Sequence, residues 1–260
     1  MRLNRFLASA GLGSRRGVEE MIRAGRVKVN GRVIEDLSTQ VNSGDSVKVG
    51  SRLIQGEKLI HALLYKPRGY LCTANDPEER KTIFHLLPKE WPRVYNVGRL
   101  DKDSEGLLLV TNDGDLTLRL THPRFKVDKH YEVLLDRAFD PADREKLLRG
   151  FHIEGGRAKC EDVQIIKPNH LKLVLMQGIK RQIRLMMYKL GYEVERLIRI
   201  SVGPINLGDM VPGEWRPLNS KEVASLIAAS AQQSLPPEKK PRSKKPFERK
   251  FTRAIRKPAS

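Results

Sequence analysis

The sequence predicts an α+β protein: a small N-terminal module of two helices and short strands, then a larger domain built on a mixed, mainly antiparallel sheet. Three observations predict it. Residues 1–58 carry two short runs of helical apolar spacing followed by alternating strand-like segments. Residues 59–231 interleave strand-like apolar runs with short helical stretches, in an order too irregular for a strand–helix–strand repeat. Residues 232–260 are basic, proline-containing and poor in apolar side chains, a composition that predicts a disordered tail. No fixed-period internal repeat is present.

In the module, Leu3, Phe6, Leu7 and Ala10 follow helical spacing, and Gly11 can end that helix. Ser14 can cap a second helix whose apolar stripe is Val18, Met21 and Ile22, with Gly25 after it. Residues 27–33 alternate around Asn30-Gly31, the preferred pair for a two-residue hairpin turn, and Asp45–Val49 reads as one more strand. Residues 1–50 hold nine Lys/Arg against five acids, a net +4. Arg15 and Arg16 fall in the first turn of the second helix, the end where the macrodipole disfavours cations. A stability role does not place them there, and composition leaves two readings, a phosphate-binding face or a merely solvated basic one.

In the larger domain, Leu59–Tyr65, Leu107–Val110, Tyr131–Leu135, Leu171–Met176 and Val194–Ile200 read as strands. Lys81–Leu87, Asp115–Thr121, Pro141–Leu148, Arg181–Leu190 and Asn219–Ala228 read as helices. Asp115 can cap the second of these, and Asn219 with Glu222 forms a capping-box-like start for the last.

Charge points to the ligand. The 260 residues carry 49 Lys/Arg against 31 Asp/Glu, a net +18, which favours a polyanion. No apolar run reaches the ~18 residues that span a bilayer, and the opening Met1-Arg-Leu-Asn-Arg-Phe6 lacks the apolar core of a secretion signal. From Pro236 onward the tail holds ten basic residues and two Glu, and is expected to add salt-sensitive attraction to nucleic acid. Cys72 and Cys160 have no partner at metal spacing and read as buried thiols of a reduced, cytoplasmic protein. A Walker-type loop, a dinucleotide fingerprint, His-Glu-x-x-His and paired CxxC are all missing.

Three stretches can carry chemistry. Asp101 sits between Gly98 and Gly106, just before the continuously apolar Leu107–Val110. Spacing alone leaves it either a loop aspartate bonding local backbone or a reacting carboxylate at the mouth of a rigid strand. Gln177–Met187 brings Lys180, Arg181 and Arg184 within about one helical turn, which reads as an arginine that could hold a carboxylate ionised or as a phosphate-binding or solvent-facing basic turn. Tyr131 reads as a core aromatic or as a ring that stacks on a base.

Residues 1–50 resemble the small RNA-binding module named after ribosomal protein S4. The resemblance is carried by Arg2-Leu-Asn-Arg-Phe-Leu-Ala-Ser-Ala-Gly11, Ser14-Arg-Arg16, Ile22-Arg-Ala-Gly-Arg-Val-Lys-Val-Asn-Gly31 and Gly44-Asp-Ser-Val47. Further on, the following motifs occur in order: Leu64-Tyr-Lys-Pro-Arg-Gly69, Gly98-Arg-Leu-Asp-Lys-Asp-Ser-Glu-Gly-Leu-Leu-Leu-Val-Thr-Asn-Asp-Gly114, Lys129-His-Tyr131, Arg181-Gln-Ile-Arg184, Gly203-Pro-Ile-Asn-Leu-Gly208 and Gly213-Glu-Trp-Arg216. With the module, the set resembles a bacterial ribosomal-RNA pseudouridine synthase of the RsuA type over about residues 1–225.

The resemblance implies an isomerase that cuts the uracil–ribose bond of one uridine, turns the base and rejoins it through carbon 5, with no cofactor and no metal. It implies Asp101 as the catalytic aspartate, Tyr131 as the stacking tyrosine and Arg184 as the aspartate's basic partner. Arg99 would fill the vacancy left by the base or hold the flipped nucleotide's phosphate. Lys180 and Arg181, with Arg2, Arg5, Arg15, Arg16, Arg23, Arg26 and Lys28 of the module, would bind RNA. The implied partner is ribosomal RNA, 23S ahead of 16S. Transfer RNA shares the chemistry, and the enzyme would act as a monomer with no membrane partner. A non-catalytic RNA-binding or ribosome-assembly factor is the rival from another class. The chain departs from the family pattern at Gln177-Gly178-Ile179, where most relatives have Glu-Gly and a basic residue, and at Lys180, where many have Asn. Those changes flank Arg184 and bear on the RNA target rather than the chemistry.

Overall fold

The computed structural model describes residues 1–42 and 44–232. The expectation of a disordered tail over residues 232–260 is corrected at Gln232, which ends a helix, and otherwise falls on residues outside these. The N-terminal module opens with α1 (Leu3–Ser9) and α2 (Arg15–Arg23). Ser14 caps α2 by accepting from the Gly17 N–H, as its sequence position predicts. Then come β1 (Val27–Val29), β2 (Arg32–Ile34), β3 (Val47–Val49) and β4 (Arg52–Leu53), antiparallel in the order β2-β1-β3-β4. Asn30 and Gly31 both take positive φ, 50° and 83°, which the tight β1–β2 turn requires. Asp45 lies before β3 rather than in it, and its carboxylate accepts from the Asn30 amide and the Asn42 N–H. Leu3, Leu7, Val18, Ile22, Val27 and Val47 close a core of the module's own.

The larger part follows as β5 (His61–Lys66), β6 (Tyr95–Val97), β7 (Glu105–Thr111), α3 (Gly114–Thr121), β8 (Lys129–Leu135), α4 (Asp143–Arg149), β9 (Phe151–Ile153), β10 (Gly156–Ala158), β11 (Asp162–Lys167), β12 (His170–Leu175), α5 (Gln182–Lys189), β13 (Val194–Val202), β14 (Ile205–Asn206), β15 (Trp215–Pro217) and α6 (Ser220–Gln232). Its main sheet runs β11-β12-β8-β13-β7-β5-β15, with β6 on β7 and β14 on β13. Among the described pairs only β13 and β7 are parallel. The fold is thus the α+β arrangement with a mainly antiparallel sheet that the sequence predicts.

Both faces of that sheet are covered, which explains why β7 is apolar without alternation. Leu108, Val110, Val133 and Leu173 face a core shared with Leu147 of α4 and Ile183, Met186 and Met187 of α5. Leu107 and Leu109 face the other core, with Leu116 and Leu120 of α3 and Leu226 of α6. Both cysteines are free; Cys160 is buried as expected, and Cys72 is half-buried.

Three expectations need correction. The helix over Lys81–Leu87 is only a 3-10 turn at Ile83–Leu86, where Thr82 and His85 cap one another. Leu87 is extended, at φ −103° and ψ 154°, as a residue preceding proline prefers, so Pro88 stops the turn at Leu86. The cap of α3 is Asp113, whose carboxylate accepts from the Asp115 and Leu116 N–H groups; Asp115 sits in the first turn. The helix placed from Arg181 starts at Gln182, because Arg181 adopts the left-handed conformation at φ 54°. Arg181 and Arg184 therefore do not stand one helical turn apart on a common face.

The module leans on α3. Arg5 of α1 makes an ion pair with Asp115, and the Arg15 guanidinium lies near Gly114 at the same helix start. Two arginines thus meet the acidic first turn of a helix.

Candidate active site

Asp101 lies in the loop from Gly98 to Ser104 that joins β6 to β7. Gly98 turns the chain at φ 70°, and the Asn96 side chain donates to its carbonyl at 2.6 Å. The loop then closes on itself where the Ser104 N–H donates to the Asp101 carbonyl at 3.1 Å.

Three cations clamp its backbone. Lys66, fully buried at the end of β5, donates to the carbonyls of Ser104 at 2.7 Å, Pro67 at 3.0 Å and Lys102 at 3.4 Å. Arg184 of α5 donates to the Asp103 carbonyl at 2.9 Å and to Val194 at 2.7 Å. Arg199 of β13 donates to the carbonyls of Leu107 at 2.7 Å and Arg99 at 3.5 Å. Burial pushes the Lys66 ammonium and the Arg184 guanidinium down, while Asp101 and Asp103 pull both back up. Every clamp is spent on main-chain oxygen. Among the described residues no hydrogen bond or ion pair engages the Asp101 carboxylate, so the loop is held and its acid is free.

The loop forms one wall of a cavity of about 770 Å³, a size that suits a nucleotide. The floor is the sheet, with Lys129 and Tyr131 from β8 and Leu197 and Arg199 from β13. Opposite stand Lys159, Glu161 and the segment Gln177–Ile183. Seven basic side chains line the space against two carboxylates, Asp101 and Glu161, so its field favours an anion. Glu161 is already paired with Lys159 at 2.8 Å.

Asp101, Tyr131, Arg99, Lys180 and Arg181 all line this cavity. Tyr131 is 8% exposed, so it belongs to the core and to the cavity wall at once. Arg181 reaches the Asp103 carboxylate at 3.8 Å. Arg184 stands behind the loop, on the carbonyl of Asp103 rather than on the Asp101 carboxylate, and its Nε is buried without a partner. In the module, Arg2, Arg15, Arg16, Arg23, Arg26 and Lys28 are exposed, whereas Arg5 is half-buried against Asp115.

Sequence reasoning assigned no role to Lys66, Ser104, Lys129 or Arg199. The available signal was a cation inside a strand otherwise apolar, in Leu63-Leu-Tyr-Lys66 and Leu197-Ile-Arg-Ile200. The Gln177 departure also finds a physical account. Its Oε1 accepts from the Lys159 N–H and from the Gln182 side chain, and its Nε2 donates to the Arg157 carbonyl, each at 3.1 Å. A glutamate there would keep the acceptor and lose the donor that ties this loop to the β9–β10 hairpin.

Residues 60–189 match the family model described as RNA pseudouridylate synthase, and residues 1–47 match the S4 domain. An uncharacterized RNA pseudouridine synthase of Aquifex aeolicus is 38% identical over 91% of this chain and 97% of its own length. The ribosomal large subunit pseudouridine synthase B of Bacillus subtilis is 37% identical over 87% and 96%. A crystal structure of a pseudouridylate synthase superposes with a TM-score of 0.64 at 27% identity, covering 87% of this chain and 99% of the other.

Proposed function

Because the chain belongs to the RNA pseudouridylate synthase family, we propose that it isomerises one uridine of ribosomal RNA to pseudouridine, with Asp101 as the catalytic carboxylate. Large-subunit RNA is the first target to test, since the similar Bacillus subtilis protein is named for the large subunit. The observation that carries the reading is the unpartnered Asp101 carboxylate on a backbone clamped by Lys66, Arg184 and Arg199. A reacting group must be fixed in place without being consumed by its own protein.

The target base has to leave its stack to reach this cavity, which costs a few kcal/mol. Phosphate contacts to Arg99, Lys180 and Arg181 at the rim offset that cost. Inside, the base stacks on Tyr131 while Asp101 faces C1′ of the ribose. The C1′–N1 bond breaks, the base turns, C1′–C5 forms, and the hydrogen on C5 is replaced by one on N1. Atoms and charge balance without any co-reactant. Arg184 has a spare buried Nε and feels Asp101 electrostatically, which suits it to hold the carboxylate ionised when substrate displaces water. Labour divides along the chain. Residues 1–58 dock on RNA through the exposed Arg2, Arg15, Arg16, Arg23, Arg26 and Lys28. Arg5 sets the angle of that module by its pair with Asp115. Residues 59–231 handle the uridine, and residues 232–260 add charge.

The test is pseudouridine mapping of ribosomal and transfer RNA from cells with and without the gene. Deletion is expected to remove pseudouridine from a ribosomal position, and Asp101→Asn is expected not to restore it. Restoration by Asp101→Asn would overturn the mechanism, and loss confined to transfer RNA would overturn the target.

A further inference from the structure

The geometry points to a cationic subsite on the cavity floor, formed by Lys129 and Arg199 with the Ser104 hydroxyl, that receives the negative charge of the pyrimidine ring as the glycosidic bond opens. The inference deepens the proposed function and rests on it.

Arg199 is 3% exposed and lines the cavity. Two of its nitrogens are spent on the Leu107 and Arg99 carbonyls, and the third, Nη2, is buried with no partner. Ser104, 1% exposed and also in the cavity wall, has an unpartnered hydroxyl. Buried donors left unpaired are costly, so a pair of them in one cavity wall marks a place where a ligand supplies the acceptor.

Charge says which acceptor. Lys129 donates only to the Val127 carbonyl, at 2.8 Å. Among the described residues neither Lys129 nor Arg199 has an ion-pair partner. Burial, and then the nearby Arg199, pushes the Lys129 ammonium down to about 8. Asp128 pulls the half-buried Lys129 back up, but its carboxylate is taken by His130 at 3.0 Å. An anion on the floor would stabilise Lys129 and the buried Arg199 together.

Position says which part of the substrate. Lys129 and Tyr131 are two apart on β8 and so share a face, and Arg199 is the cross-strand partner of Tyr131. A ring stacked on Tyr131 brings its carbonyl edge to Arg199. Substrate phosphates meet the exposed Arg99, Lys180 and Arg181 at the rim, whereas only the base reaches the floor.

When C1′–N1 opens, the bonding pair stays on the ring and spreads over N1, O2 and O4, while Asp101 stands against the electron-poor C1′. Lys129 and Arg199 donate hydrogen bonds to the ring oxygens and keep their protons. The charge disappears when C5 attacks C1′ and the C5 proton is exchanged for one on N1.

The experiment measures first-turnover consumption in large-subunit ribosomal RNA transcribed with uridine or with 5-fluorouridine, whose base leaves as a more stable anion. Arg199→Lys and Lys129→Gln are each expected to slow the uridine reaction about 100-fold. With 5-fluorouridine the expected slowing is several times smaller. RNA affinity in an Asp101→Asn background is expected to stay within about three-fold. Equal slowing on both RNAs, or none on either, would overturn the subsite while leaving the proposed function intact. Lys129 makes one side-chain hydrogen bond, so Lys129→Gln decides between these outcomes should Arg199→Lys fold poorly. A wild type that converts neither RNA would overturn the proposed function and the subsite with it.

Discussion

Lys129 is flanked by Arg199 of β13 and by Asp128 just before its own strand, with Tyr131 on the same face and the Asp101 loop across the cavity. Its folded value of about 8 lies below its ordinary 10.5. Between those two values the unfolded chain holds a proton that the folded protein has released, so this group makes stability rise with pH in that window. The expected activity runs the other way, because the charged form serves the reaction. Single-turnover rates should fall as pH rises through about 8, and Lys129→Arg should move that fall upward. A profile identical in the two proteins would contradict this. At this scale Asp101 and Tyr131 stand out in sequence as candidates because they lie inside motifs, and both line the cavity. Arg199 does not stand out: in sequence it is one cation in a strand, and only its packing shows that it is buried with a donor to spare.

The parallel contact between β7 and β13 fixes the rear of the Asp101 loop, and Gly106 permits it. Its φ is 106°, and a Cβ there would stand 2.4 Å from the Arg199 carbonyl oxygen and 2.7 Å from its nitrogen. Both atoms are backbone and cannot step aside. Gly106→Ala is expected to cost about 3 kcal/mol, a fall of roughly 6–12 °C in thermal midpoint, through overpacking and backbone strain. Gly56, with nothing within 4 Å of the same added atom and an ordinary φ, is the control, and Gly56→Ala should change stability by less than about 0.5 kcal/mol. Thermal unfolding of the two variants decides. Most elements were legible from period and caps: Ser14 before α2, Asn30-Gly31 between β1 and β2, the apolar stripe of α5. Short strands such as β6, β9, β10 and β15 were not, since two or three residues carry no period and gain their order from a neighbouring strand.

Across the whole molecule the net charge of +18 is distributed over the exposed face of the module, the cavity and the tail. RNA affinity should therefore drop steeply with salt. Removing residues 236–260, with ten basic side chains against two acidic ones, should leave binding weaker and its salt dependence shallower. The slope should fall by about 0.7–0.9 for each phosphate that the tail would have neutralised. An unchanged slope in a filter-binding or anisotropy titration would rule out a binding role for the tail. The tertiary structure adds one constraint on the module: Arg5, counted in sequence among the RNA contacts, is held by Asp115 of α3. No helix among the described residues is long and apolar enough to cross a membrane.

By itself the sequence determined the α+β class, the basic partner-seeking character, the RNA module and the position of the candidate aspartate, because each is written in composition, period or a contiguous motif. The tertiary structure alone decided what holds that aspartate. Lys66, Arg184 and Arg199 come from β5, α5 and β13, far from Asp101 in the chain, and they meet only where the sheet stacks those elements around one loop. A cation's grip on a carbonyl becomes strong once water has been excluded around both. That exclusion is a property of the packed core, and no local stretch of sequence contains it.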